Sequence, residues 1–185
     1  MDSFLDKFIR LLRTNQVKKH IAKGSVVCDI GCGKDFYFLK KISNKILRGI
    51  GFDEEVSDWR DEKYELIRQK ISDRIPLEKE SCDAVTMTAV LEHLVSPQEI
   101  LDESFRVLKN GGKLILTTPT PAARPFLNFL AHHLRLIDKH EIENHKNYFD
   151  ANTVRRMLKK SGFAEENIKN YFFELFLNNL IVAKK

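Results

Sequence analysis

Apolar and polar positions alternate along this 185-residue chain with two periods, one typical of helices and one of buried strands. Over the first twenty residues, apolar side chains recur three or four positions apart, which predicts an amphipathic helix over residues 1–20. Short apolar runs predict seven strands, at or ending at residues 25–30, 50–53, 64–68, 84–87, 113–118, 168–173 and 180–183. Helical patterns lie between most of them. The alternation predicts an α/β protein with a mainly parallel sheet.

The clearest helix start lies at Ser96 and Pro97. Ser96 is a capping residue type, Pro97 suits the first helical position, and Glu99 follows three residues after the cap, as in a capping box. We expect the Asn-Gly-Gly sequence at 110–112 to end this helix and start the next strand. Asp150 is expected to open a later helix.

Composition limits the class of protein. An apolar content of 43% in 185 residues suits one domain over residues 1–185 with a sizeable core. The net charge of +5 is dispersed, so we interpret it as solvated surface and do not expect a nucleic-acid partner. The first residues do not resemble a signal sequence and no apolar run has membrane length. We therefore expect a soluble, cytoplasmic protein without a transmembrane segment, and its three cysteines should be reduced.

The most informative stretch is VVCDIGCGKD at residues 26–35. An apolar run ends in Asp29, and the turn Gly31-Cys32-Gly33 follows it. Glycines at such a strand-to-helix turn let a ligand lie against bare backbone. This pattern predicts a site for a nucleoside-bearing cofactor.

Further motifs follow in a fixed order. They are DIGCG at 29–33, Asp53 after the second strand, IPL at 75–77 before SCD at 81–83, LEHL at 91–94 and RVLKNGG at 106–112. Over roughly residues 20–183, this order resembles that of class I S-adenosylmethionine-dependent methyltransferases of type 11. The resemblance implies a Rossmann-like, doubly wound, seven-stranded and mostly parallel sheet whose last strand is antiparallel, in three α/β/α layers. It also implies S-adenosyl-L-methionine as cofactor and S-adenosyl-L-homocysteine as product.

The resemblance assigns the cofactor site to residues near the strand ends. Gly31, Cys32 and Gly33 would give the cofactor close contact with backbone. Asp53 would accept hydrogen bonds from the ribose hydroxyls, the alternative being a helix cap or loop acid. Asp29 would order the glycine loop and the methionine ammonium group, the alternative being that it only bonds loop amides.

The remaining cofactor contacts are inferred by position. Ser72 and Asp73 are candidates for the adenine contact, because the usual acidic position falls on Ile71. Thr88 and Ala89 match positions that line the methionine end of the cofactor, the alternative being strand-end packing. This chain has Asp35 where the family often has a third glycine.

Histidine suits proton removal from a methyl acceptor because its pKa lies near working pH. Similar proteins often carry histidines at the positions of His93 and His145, so both are candidate catalytic bases, the alternative for each being a structural role. Glu92 is interpreted either as a second acid or as a solvated charge. Several histidines lie in residues 119–149, but no cysteine or tight acidic cluster joins them, so we expect no metal site.

Residues 119–149 are the expected substrate-specific insertion or lid. They begin with three prolines and continue with an apolar stripe. The stripe suits a lid, a docking surface, an acyl-chain site or simple packing on the domain.

These observations lead to one preferred function and two alternatives. We expect a methyltransferase acting on oxygen or nitrogen of a small-molecule, glycan-like or lipid-like acceptor. A non-catalytic cofactor-binding or partner-binding relative is the first alternative. An NAD-dependent oxidoreductase is the second, disfavoured because Phe36 occupies the sixth position of GxGxxG, where dinucleotide folds need glycine.

Overall fold

The computed structural model describes residues 4–121, 149–174 and 177–185. The helices are α1 (Phe4–Val17), α2 (Tyr37–Lys41), α3 (Pro97–Val107) and α4 (Ala151–Lys160). Short 3-10 turns occur at Lys18–His20, Leu91–His93 and Glu165–Asn167. The strands are β1 (Ser25–Ile30), β2 (Ile46–Asp53), β3 (Trp59–Arg60), β4 (Tyr64–Arg68), β5 (Cys82–Thr88), β6 (Leu108–Pro119), β7 (Ile168–Phe173) and β8 (Asn178–Lys184).

The strands form a single sheet in the order β3-β4-β2-β1-β5-β6-β8-β7. Strands β4, β2, β1, β5 and β6 are parallel, and β8 runs antiparallel to both of its neighbours. The mostly parallel α/β sheet with an antiparallel last strand is therefore confirmed. The expected count of seven strands is one short, because the two-residue strand β3 pairs antiparallel with β4 at the edge. Its Trp59 is 57% exposed, so burial gave no sequence signal for this strand.

Buried residues cover both faces of the sheet, because successive strand side chains point in opposite directions. One face carries Val27 and Ile115 and packs with Val17 and Leu39 of the α1 and α2 layer. The other face carries residues such as Val85, Leu114 and Leu116 and packs with Leu101 of α3 and Leu158 of α4. The three-layer arrangement is confirmed.

The start of α3 differs in detail from the prediction. Pro97 is its first residue, as expected, but the Ser96 side chain makes no capping hydrogen bond, so the capping box with Glu99 does not form. Asp150, in contrast, caps α4 as predicted, because its carboxylate accepts a hydrogen bond from the Thr153 amide at 2.7 Å.

The start of β6 also differs. The strand begins at Leu108, directly after α3, so Asn110, Gly111 and Gly112 lie within it. The register with β5 shifts between Cys82 and Ala84, which accommodates the extra residues as an irregularity of the ladder. Of the described helices, none is both long and apolar enough to cross a membrane.

Candidate active site

The glycine loop after β1 lies between the ends of β2 and β5. Gly31 and Gly33 have positive φ values of 71° and 72°, a region that favours glycine. The amides of Gly31 and Cys32 both donate to the carbonyl oxygen of Phe52, at 2.8 and 3.2 Å. A Cβ atom at Gly31 would lie 2.3 Å from Val90 Cγ2, whereas a Cβ atom at Gly33 would meet no described atom within 4 Å. Gly31 therefore packs tightly against Val90, just after β5, whereas the backbone at Gly33 is open to a ligand.

The side chain of Cys32 points into the core. It is buried with the α1 and α2 layer, and a Cβ atom at Gly51 would lie 2.8 Å from its Sγ. Burial raises the pKa of the Cys32 thiol, and the charges of Asp29 and Asp53 add to this shift. A contact of Cys32 with the cofactor, as predicted, would therefore involve its backbone and not its side chain.

Asp53 ends β2 and ties two loops together. Its Oδ2 atom accepts a hydrogen bond from the Gly33 amide at 2.8 Å, and its Oδ1 atom accepts one from the Glu55 amide at 2.9 Å. The loop-acid interpretation therefore describes part of its role. Each carboxylate oxygen has a second lone pair, so the carboxylate can also accept hydrogen bonds from a ribose diol.

Asp29 is only 1% exposed at the end of β1. Its Oδ1 atom accepts a hydrogen bond from the Thr86 hydroxyl at 2.6 Å, so the partner is a β5 side chain rather than the predicted loop amides. Among the described residues, Oδ2 has no hydrogen-bond partner. Burial raises the pKa of Asp29 to about 7, although the Thr86 hydroxyl lowers it, and the nearby charge of Asp53 raises it further.

These features fit the chemistry of S-adenosylmethionine. An unpartnered carboxylate oxygen on Asp29 suits an ammonium group, the Asp53 carboxylate suits a diol, and the open backbone at Gly33 suits close approach. All of them lie where parallel α/β sheets bind ligands, at the carboxyl ends of the strands.

Thr88 and Ala89 reach the same edge of the sheet. Ala89 has a positive φ of 56°, and its amide lies 3.1 Å from both the carbonyl and the hydroxyl oxygen of Thr117. The next residue, Val90, is the one that approaches Gly31. The strand-end positions inferred from the resemblance therefore adjoin the glycine loop.

Ser72 and Asp73 lie in an exposed loop after β4. The Ser72 hydroxyl donates to Asp73 Oδ1 at 2.8 Å, while Ile71, at the usual acidic position, is buried in the core. The loop leaves β4 beside the ribose candidate, because the Gln69 amide donates to the Asp53 carbonyl at 3.0 Å. Their adenine contact stays a prediction.

Asp35, where the resemblance predicts a glycine, is followed by an unusual turn. Phe36 has a left-handed conformation with φ of 36°, and its amide donates to the Gly33 carbonyl at 3.0 Å. Its ring packs edge-on against Tyr64 at 5.4 Å between centroids. A bulky residue with positive φ is uncommon, so the tertiary contact with β4 supports this conformation.

Of the two histidine candidates, only His93 lies within the residues that the structure describes. His93 is half-buried in the turn Leu91–His93, directly after the strand-end residues. His145 lies outside the described residues, as does most of the predicted lid at 119–149. In residues 4–121, 149–174 and 177–185, no group of three or more metal-ligating side chains occurs.

Glu92 lies in a different environment from the one that its sequence predicts. It is 0% exposed, so its interpretation as a solvated charge is wrong. Burial raises its pKa, whereas the charges of His93 and Arg13 and the Thr118 hydroxyl lower it. No local pattern in LEHL distinguishes a buried glutamate from an exposed one, because the burial comes from distant segments.

Comparison with known protein families identifies the family of this chain. The sequence profile of a methyltransferase domain family matches residues 1–167, and the chain belongs to this family. Among solved structures, it is similar to an S-adenosylmethionine-dependent methyltransferase from Archaeoglobus fulgidus, with a TM-score of 0.68, 18% identity and coverage of 95% of this chain and 94% of that one. At the level of the family, the predicted enzyme class and its cofactor S-adenosylmethionine are confirmed.

Two relatives show how widely the similarity extends. An uncharacterized protein of Methanocaldococcus jannaschii is 28% identical over 154 residues, which are 83% of this chain and 70% of that protein. A tRNA U34 carboxymethyltransferase of Sulfurovum sp. is 31% identical over 130 residues, which are 63% of this chain and 42% of that protein. The chain thus matches less than half the length of the second relative.

The two loop glycines generate a paired prediction. Gly31→Ala should lower the free energy of unfolding by about 2 to 5 kcal/mol, because it combines left-handed strain with a collision at Val90. Gly33→Ala should lower the free energy of unfolding by only about 1 to 2 kcal/mol, because it adds left-handed backbone strain without a collision. It should, however, weaken S-adenosylmethionine binding, because its methyl group enters the open face. Urea unfolding and titration calorimetry measure both effects, and equal stability losses would contradict the assignment.

The buried Asp29 predicts a pH dependence of stability. Its pKa rises from 3.8 unfolded to about 7 folded, so the folded state holds the proton more tightly and loses stability as pH increases between those values. Asp29→Asn keeps an oxygen for the Thr86 hydroxyl but cannot ionise. Without cofactor, this variant should therefore be more stable than the wild type near pH 7, and the difference should shrink towards pH 4. Urea midpoints across this pH range test it, and a constant difference would refute it.

Proposed function

We propose that this chain transfers a methyl group from S-adenosylmethionine to an oxygen or nitrogen atom of a small-molecule, glycan-like or lipid-like acceptor. The observation that carries the proposal is the unpartnered Oδ2 atom of buried Asp29, which lies at the strand edge where Asp53 and the open Gly33 backbone also lie. Family membership supports the methyl-transfer class. The acceptor is the new part of the proposal.

The bound cofactor supplies an activated methyl group on a sulfonium centre. In this proposal, the residues of the chain recognise the cofactor and hold it in position. Asp53 accepts hydrogen bonds from the ribose hydroxyls, and Asp29 accepts one from the ammonium group. The Gly31–Gly33 backbone sets the depth of approach. Holding the reacting groups in a productive geometry is the main catalytic contribution that such a reaction needs.

The rest of the cofactor is assigned by position. Thr88 and Ala89 line the methionine end, since they adjoin the glycine loop. Ser72 and Asp73 offer polar contacts to adenine, with buried Ile71 beside them as an apolar neighbour. His93 follows the same strand end and is the described histidine that stands as a candidate base.

A structured RNA is the second candidate acceptor. One relative is named as a tRNA U34 carboxymethyltransferase, although the match covers 42% of that protein. The net charge of +5 is compatible with an anionic partner. An acceptor screen with labelled methyl groups should therefore include total tRNA beside phenols, amines, glycans and lipids.

Two other functions are ranked lower. A non-catalytic relative would bind S-adenosylmethionine or a partner without turnover, so methyl transfer to any acceptor excludes it. An NAD-dependent oxidoreductase would need the helix to approach a pyrophosphate closely, whereas bulky Phe36 packs at that position against Tyr64. Titration with NAD in parallel separates this function from the others.

Asp53 provides the direct test of the cofactor site. Asp53→Ala should weaken S-adenosylmethionine and S-adenosylhomocysteine binding by about 1.5 to 3 kcal/mol, the range for a lost hydrogen bond to a charged group. Glu62→Ala, which removes an exposed acid between β3 and β4, is the control and should bind normally. Calorimetry measures both. Unchanged affinity in the Asp53 variant would remove this residue from the site.

His93 provides the test of base catalysis. His93→Ala should leave S-adenosylmethionine affinity unchanged and reduce turnover by about 10²- to 10⁴-fold if the imidazole removes the acceptor proton. Single-turnover rates with an acceptor from the screen measure the effect. Normal turnover would make His93 structural.

A further inference from the structure

A second set of buried polar atoms lies beyond the cofactor residues, near the facing ends of β6 and β8. Its members are buried and, within residues 4–121, 149–174 and 177–185, have no hydrogen-bond partner: Arg13 Nε, Glu92 Oε1 and Oε2, Thr118 Oγ1, Glu174 Oε1 and Asn179 Nδ2. We call these five side chains the polar cluster. Folded proteins leave only a few such atoms per hundred residues. Their concentration here therefore needs a physical explanation.

The contacts between segments show that these atoms belong together. Thr118 of β6 and Asn179 of β8 are directly paired in the sheet. The Thr118 hydroxyl lies close enough to Glu92 to lower the pKa of its carboxyl group. The Arg13 charge lowers the pKa of both Glu92 and Glu174, so α1 faces the same region. Four separate parts of the chain contribute to one place.

The polar cluster adjoins the proposed methyl site. Glu92 follows Ala89 by three residues, and Val90 between them packs on Gly31 of the glycine loop. Glu92 itself lies in the turn Leu91–His93, immediately beyond the end of β5. A molecule beside the methionine end of the cofactor would therefore reach this turn.

The chemistry of the cluster selects a polar occupant. Arg13 and Asn179 offer donors, Glu92 and Glu174 offer acceptors, and the Thr118 hydroxyl offers both. An apolar group would leave all of these atoms without partners, at a cost in stability. A ligand that carries hydroxyl or amino groups would satisfy them.

We propose that the polar cluster binds the hydroxyl- or amine-bearing part of the methyl acceptor and that Glu92, rather than the neighbouring candidate base His93, is the catalytic residue that accepts the proton of the nucleophile. This inference rests on the proposed methyltransferase function and names the recognition chemistry of its acceptor. Burial raises the pKa of Glu92, which brings a carboxylate closer to the range in which it removes a proton efficiently.

The proposed step balances. A lone pair on the acceptor oxygen or nitrogen forms the bond to the methyl carbon, and the carbon–sulfur bond breaks with both electrons going to sulfur. The O–H or N–H bond then leaves its electrons on the acceptor atom, and its proton passes to a Glu92 oxygen. The products are the methylated acceptor, S-adenosylhomocysteine and a protonated Glu92.

The first test needs no acceptor. Glu92→Gln replaces a buried carboxyl group, whose charged form burial disfavours, with a neutral amide of the same shape. At a single fixed pH above 7, the melting temperature of this variant should therefore exceed that of the wild type by about 2 to 4 °C. Glu103→Gln is the matched control. Glu103 pairs with Arg106 at 2.6 Å and accepts a hydrogen bond from the Ile75 amide, so its loss should lower the melting temperature. A lower melting temperature for Glu92→Gln would overturn the inference.

A second variant tests the neighbour. Thr118→Val keeps the shape of the side chain and removes its unpartnered hydroxyl. Its melting temperature should equal or exceed that of the wild type, because no hydrogen bond is lost. A clear decrease would mean that the hydroxyl already has a structural partner, and the polar cluster would then not be a ligand site.

The last measurement separates this inference from the proposed function. With an acceptor from the screen, Glu92→Gln should bind S-adenosylmethionine normally and lose about 10²- to 10⁴-fold in single-turnover rate. Normal turnover would overturn the role of Glu92 and leave the methyltransferase function intact. Failure of the wild type to bind S-adenosylmethionine would instead refute the proposed function, whatever the melting temperatures show.

Discussion

The close approach of Gly31 to Val90 is the constraint on which the candidate site depends. Because Gly31 has no side chain, the loop after β1 can approach Val90 and lie between the ends of β2 and β5. Two of its amides donate hydrogen bonds to the Phe52 carbonyl oxygen. In the same loop, the side chain of Cys32 packs against Gly51. Three neighbouring strands are thereby locked at one edge. Their terminal residues then meet as a single site.

This edge concentrates buried charge. Asp29 and Asp53 are close enough for one charge to raise the pKa of the other, and Glu92 is buried a short distance along. Such groups cost stability unless they are paired. The extensive apolar cores on both faces of the sheet offset that cost. Local conflict within a well-packed domain is typical of functional sites.

The start of α2 has an unusual backbone. Asp35 lies where the resemblance predicts a glycine, and the next residue, Phe36, takes up a left-handed conformation and packs against Tyr64 of β4. The turn nevertheless keeps its hydrogen bond to the Gly33 carbonyl. The glycine loop therefore keeps its backbone contacts while the helix after it is only five residues long. The contact of Phe36 with Tyr64 links the glycine loop to β4, the strand that precedes Ser72 and Asp73.

Local patterns in the sequence determined much of this protein. The bounds of β1, β4 and β7 match the predictions, because strand formation follows short apolar runs. The spacing of Asp29, Gly31, Gly33 and Asp53 predicts a cofactor site, and the structure brings these residues to one edge of the sheet. Only the tertiary structure decided that Asp29 pairs with Thr86, that Cys32 faces the core and that Glu92 is buried beside Thr118. Each of these outcomes depends on contacts between segments far apart in the chain. Burial and hydrogen bonding of a side chain are set by what folds over it, which no local spacing encodes.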